Sequence, residues 1–144
     1  MKNRDQMVTD VATAAHEDWR QQYRAANGDK PRIKKTKDQT FIDRGVTEVD
    51  IASLAYTELP SDWQGENKLG AECAVDCVVA VLGQSRALDA GFIEEASATQ
   101  HDEWLKRNGS WAPESQKLPY AQLTEDEKEK DRFFVRQAIA ASNS

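Results

Sequence analysis

The sequence is poor in cysteine and has no long apolar run. Its two cysteines, Cys73 and Cys77, cannot build a disulfide framework, which points to a reducing compartment. No stretch approaches the roughly eighteen apolar residues of a membrane-spanning helix. Met1 to Asp10 is charged and polar, without the apolar segment of a secretory leader. These absences predict a cytoplasmic chain with no membrane contact. Cations are in the minority as well: Lys+Arg 19 against Asp+Glu 25 gives a formal net charge of −6, which argues against general nucleic-acid coating. No low-complexity segment or linker interrupts the 144 residues, so 1–144 reads as one domain, large enough to bury a core without staples.

What the chain does have is self-similarity. His16-Glu17-Asp18-Trp19 returns as His101-Asp102-Glu103-Trp104. Tyr56-Thr57-Glu58-Leu59 returns as Tyr120-Ala121-Gln122-Leu123, and the match continues without gaps through Asp62 and Asp126, Asn67 and Asp131, Lys68 and Arg132, and Ala74 and Ala138. The sequence therefore predicts two helix-loop-helix halves, 5–85 and 89–141. They differ in loop length: His16 and Tyr56 are 40 apart, His101 and Tyr120 only 19. The excess belongs to a basic loop, 29–50.

Helix periodicity supports this division. Met7, Val11, Ala15, Trp19 and Tyr23 recur at fourfold spacing and form one stripe of a first helix from Asp5 to Ala26. Gly28 supplies its stop. Within the loop, Arg32 to Thr36 and Thr40 to Asp43 alternate as a short hairpin would. A second helix opens after Pro60, with Ser61 and Gln64 spaced as a capping box. Its inner face is Trp63, Gly70, Ala74, Cys77, Val78 and Val81. A third helix spans Asp89 to Arg107, with Ile93, Ala96, Trp104 and Leu105 inward and Asn108-Gly109 as its end. A fourth opens at Thr124, with Glu127 completing a second capping box and Phe134, Val135, Ala138 and Ile139 inward. Gly65 and Gly70 each cost about 1 kcal/mol against alanine inside a helix. At Gly70 this predicts a close crossing of the second and fourth helices, with Phe134 over the gap.

Several residues could carry chemistry. His16 and His101 each stand three before a tryptophan and beside two acids. They suit either a general base or a metal ligand, or a structural imidazole that stacks on tryptophan and bonds backbone from the following loop. The absence of a nucleophile favours the structural role. Cys73 and Cys77 lie one helical turn apart among valines and alanines, which predicts buried thiols rather than a zinc knuckle. Lys30, Arg32, Lys34, Lys35 and Lys37 form the densest basic cluster and could attract a phosphate or an acidic partner. No glycine-rich phosphate loop accompanies them. The acids from Glu125 to Asp131 read as a solvated helix start that complements the dipole. Trp19 and Trp104 read as core, whereas Trp111, between a glycine-serine pair and a proline-bearing loop, could wall a pocket.

The second half, through His101-Asp102-Glu103-Trp104, Gly109-Ser110-Trp111, Leu118-Pro119-Tyr120, Leu123, Glu127-Lys128 and Asp131-Arg132, resembles the ryanodine-receptor repeat. The similarity runs from Glu95 to Ala141. It is fainter in the first half, through His16 to Trp19 and Tyr56 to Ala74. The glycine-tryptophan-tyrosine-glycine stretch of the family is reduced here to Gly109-Ser110-Trp111, and its His-Pro is absent. The resemblance implies a mainly α fold of two pseudo-twofold-related repeats, a phage or bacterial origin, and a recognition module rather than a catalyst. It also implies a nucleotide-like ligand between the halves.

The reading that follows is a non-enzymatic binding module, without a metal or cofactor, that engages a protein partner or a small anionic, nucleotide-like ligand. Arg32, Lys34 and Lys35 would attract the anion, and Trp111 and Tyr120 would offer a stacking plane where the two loops meet. Two alternatives stay open. One is a hydrolase or lyase using His16 or His101 with Glu17, Asp102 or Glu103. The other is a structural subunit that buries its apolar faces in a homodimer.

Overall fold

The fourfold stripe of Met7, Val11 and Ala15 becomes the buried face of α1 (Arg4–Asn27). Gly28 ends it with φ +63, a left-handed conformation that glycine adopts without a Cβ penalty. The computed structural model describes residues 2–143, and the fold is mainly α. After α1 come β1 (Ile33–Lys35), α2 (Gln39–Ile42), β2 (Glu48–Asp50), a 3-10 turn at Tyr56–Glu58, and α3 (Ser61–Leu82). Then follow α4 (Ala90–Asn108), 3-10 turns at Glu114–Gln116 and Tyr120–Gln122, and α5 (Glu125–Ser142). The chain divides into two compact units, Ala12–Leu69 and Met1–Val11 with Gly70–Ser144.

In the Ala12–Leu69 unit the long loop has structure of its own. β1 pairs antiparallel with β2, with Ile33 opposite Asp50 and Lys35 opposite Glu48. The expected second strand at Thr40 to Asp43 is instead helical. Asp38 caps that turn by accepting from the Thr40 N–H at 2.9 Å, which starts a helix where alternation alone suggested a strand. Asp38 also accepts the Ser61 N–H at 2.8 Å. In return, Asp62 accepts from the Thr36 hydroxyl at 2.7 Å and the Lys37 N–H at 2.8 Å. The start of α3 is thus satisfied from the loop. The expected Ser61–Gln64 capping box does not form: the Ser61 N–H goes to Asp38, the Gln64 N–H to the Pro60 carbonyl at 3.1 Å, and Gln64 Nε2 donates to the Tyr56 carbonyl at 3.1 Å. The Ser61 N–H holds the Asp38 carboxyl well below the ordinary carboxylate range, with Thr40 adding to the effect. Val49, Ile51, Tyr56 and Leu59 are buried.

In the other unit, Asp89 caps α4 by accepting from the Phe92 N–H at 3.0 Å, and Thr124 caps α5 by accepting from Glu127 at 3.3 Å. Ala74, Val75, Val78, Val135 and Ala138 are at most 1% exposed and form the centre of its core. The buried face of α4 is Phe92, Ala96, Ser97, Gln100 and His101, rotated from the expected Ile93, Trp104 and Leu105. Polar Gln100 can go inside because its Nε2 donates to the Gly70 carbonyl at 2.9 Å.

Candidate functional site

The sequence repeat is also a repeat of local construction. His16 Nε2 donates to the Leu54 carbonyl at 2.8 Å, and the ring stacks on Trp19 at 5.7 Å and 13°. His101 Nε2 donates to the Leu118 carbonyl at 2.8 Å, and the ring stacks on Trp104 at 6.0 Å and 13°. A carbonyl only accepts, so in both rings Nε2 carries the proton. Leu54 and Leu118 each stand two residues before the tyrosine that opens a 3-10 turn. Each histidine thus fastens its helix to the loop entering the next one. With both Nε2–H groups committed to backbone carbonyls, Nδ1 is the nitrogen of each ring left to accept a proton.

The two histidines differ at the other nitrogen. His101 Nδ1 lies 3.6 Å from Asp131 Oδ2, and the Asp131 side chain is 13% exposed. Burial pushes the Asp131 carboxyl up to about 7, with Glu127 adding to the rise and Lys130 opposing it. Asp131 is therefore not part of a solvated acidic run. Two acids of the run, Glu125 and Glu129, pair with Arg132, which is also doubly bonded to Glu94 at 2.6 and 2.8 Å, while Glu127 pairs with Lys130. Arg132 holds the Glu94 carboxyl down to about 2, and the Tyr120 hydroxyl adds to this.

The five residues singled out for a ligand do not behave alike. Arg32, just before β1, lines an open groove of about 390 Å³ in the Ala12–Leu69 unit. Lys34 instead lies over the Trp63 ring at 5.6 Å, and the Lys35 carbonyl accepts from Trp63 Nε1 at 2.8 Å. Trp111 and Tyr120 belong to the other unit. Trp111 is 66% exposed, its Nε1 bonded to Asn108 at 3.1 Å and its ring set edge-on to Trp104 at 6.0 Å. Tyr120 is buried. Its hydroxyl donates to Glu94 at 2.8 Å and Lys128 covers its ring at 5.5 Å, so it offers no open stacking plane.

The groove has partners that periodicity assigned elsewhere. Trp19 and Tyr23 were placed on a core stripe, but both are half-buried. Their rings stack at 5.2 Å and 25° and line the groove with Asn27, Lys30 and Arg32. The stripe leaves the core one turn after Ala15, and its last two aromatics meet the basic loop instead. Tyr23 and Asn27 are held in place: the Tyr23 hydroxyl donates to the Pro31 carbonyl at 3.2 Å, and Asn27 donates to the Tyr23 carbonyl at 3.0 Å. The Asp50 carboxylate fixes the groove wall by accepting the Arg32 N–H at 2.9 Å. Two cations and no acid line the groove, which gives an aromatic surface beside positive charge. The signal available in the sequence was the adjacency of Trp19 and Tyr23, at a helix end, to Gly28 and the basic run.

Among the described residues no cluster of three or more His, Cys, Asp or Glu side chains is arranged to hold a metal, and no helix is long and apolar enough to cross a membrane. No protein-family profile, curated protein or solved structure matches the chain.

Proposed function

We propose that this chain is a non-enzymatic recognition module, related to the ryanodine-receptor repeat, that holds a small anionic, nucleotide-like ligand. The observation that carries the reading is the groove where the stacked Trp19 and Tyr23 rings adjoin Lys30 and Arg32. A phosphate or carboxylate would pair with the two cations, Arg32 offering the planar fork that suits such oxyanions. A planar ring on the same ligand would stack on the aromatic pair, an interaction worth about 1–3 kcal/mol per base in nucleic-acid sites.

The test is a titration of the full chain with nucleoside monophosphates and with inorganic phosphate, followed by tryptophan fluorescence and by thermal shift. A nucleoside monophosphate is expected to raise the melting temperature by mass action. The effect should weaken with salt, with Arg32→Ala and with Trp19→Leu, while Lys117→Ala leaves it unchanged. Binding unaffected by both groove variants would refute this site, and no shift with any member of the panel would refute the reading.

A further inference from the structure

We infer that Cys73 and Cys77 form a dithiol site on α3 for a single soft, two-coordinate cation of the copper(I) class. The two thiols are free, half-buried rather than sealed in the core, and one helical turn apart. On an unbroken helix, residues four apart set their Cβ atoms about 5–6 Å from each other. A disulfide needs about 3.5–4.5 Å between Cβ atoms, so the pair does not close on itself without unwinding α3. A metal bridge is longer: two metal–sulfur bonds of about 2.3 Å each span roughly 4.6 Å between sulfurs, and rotation about each Cα–Cβ bond brings the sulfurs to that separation.

The donor set selects the ion. Thiolates are soft ligands that favour copper(I) over the hard cations. Zinc structural sites take four ligands, and the described residues provide no third or fourth His, Cys, Asp or Glu in reach of this pair. Two sulfurs alone suit linear coordination. Binding would displace the thiol protons to solvent, forming two sulfur–metal bonds with no change of oxidation state.

The experiment is an anaerobic titration of the reduced full chain with copper(I) held by a coloured chelator, which reports the metal withdrawn. One copper(I) per chain is expected, with the protein remaining at its metal-free oligomeric state in sedimentation. Cys73→Ser and Cys77→Ser should each lower the affinity at least tenfold, with helix content by circular dichroism unchanged. Serine is close in size to cysteine, so these variants keep the fold. Withdrawal no greater than that of the double serine variant overturns the proposal. So does a stoichiometry of one copper(I) per two chains, because the metal would then bridge molecules instead of chelating within one helix.

Discussion

Gly70 leaves room for Phe134. A Cβ placed on Gly70 would lie 2.9 Å from Phe134 Cε1 and 3.1 Å from Gln100 Nε2. The same glycine gives its carbonyl to Gln100. A residue that costs helix propensity is therefore kept where Phe134 of α5 and Gln100 of α4 lie against α3. Gly70→Leu is expected to lower stability by about 2–3 kcal/mol through overpacking. Combining it with Phe134→Ala should recover part of that loss, because the two side chains then share the space. Urea unfolding of the two single variants and the double variant measures the coupling. Strict additivity would show that the crossing does not depend on this contact.

The matching imidazoles predict matching costs. His16→Ala and His101→Ala each remove a donor from a loop carbonyl and a ring from a tryptophan face. Each is expected to destabilise by about 1–3 kcal/mol. Hydrogen exchange should quicken locally, around Leu54 in the first case and around Leu118 in the second. A loss in one half with neutrality in the other would mean that the two brackets do different work.

Asp131 predicts a pH dependence opposite to that of most carboxylates here. Its folded carboxyl titrates at about 7 because it is buried, against an ordinary value of 3.8. The folded state then binds the proton more tightly than the unfolded chain between these values. The contribution of this group is fully present below about pH 4 and is lost as pH rises through 7. Asp131→Asn, which installs the amide type found at the aligned Asn67, should therefore gain on the parent as pH increases from 4 to 8. Thermal melts of the pair across that range test the slope. Parallel curves would refute it.

Glu94 predicts the reverse sign. Arg132 lowers its carboxyl to about 2, from an ordinary 4.5. That contribution is present above about pH 4.5 and is lost as pH falls through 2. Arg132→Met removes the cause, so the parent's advantage over this variant should shrink on acidification. The effect is modest because Glu94 is half-exposed, its side chain 45% accessible. Acid titration followed by circular dichroism compares the two proteins.

The helices were legible because their signals are local. The stripe from Met7 to Ala15, the stop at Gly28, the start of α4 after Asp89 and the cap of α5 at Thr124 each depend on residues within a few positions of one another. The Gly70–Phe134 contact was also foreseen, through the gapless alignment of the two halves. Less was legible in the loop and at the site. The anchoring of the loop to the start of α3 follows from Asp38 reaching Ser61 and from Asp62 reaching Thr36. These partners are more than twenty residues apart, and no window of the sequence contains both.

By itself the sequence determined the helical class, the duplicated His-x-x-Trp units and the approximate ends of each helix. Periodicity and capping act over one or two turns and need no distant partner. Only the tertiary structure decided how far inside each residue lies. Gln100 went in because the Gly70 carbonyl was there to accept from its amide. Trp19 and Tyr23 stayed half-exposed because the core ends one turn earlier. Burial depends on which surfaces meet across the chain, and a helical stripe carries no record of where its partner stops.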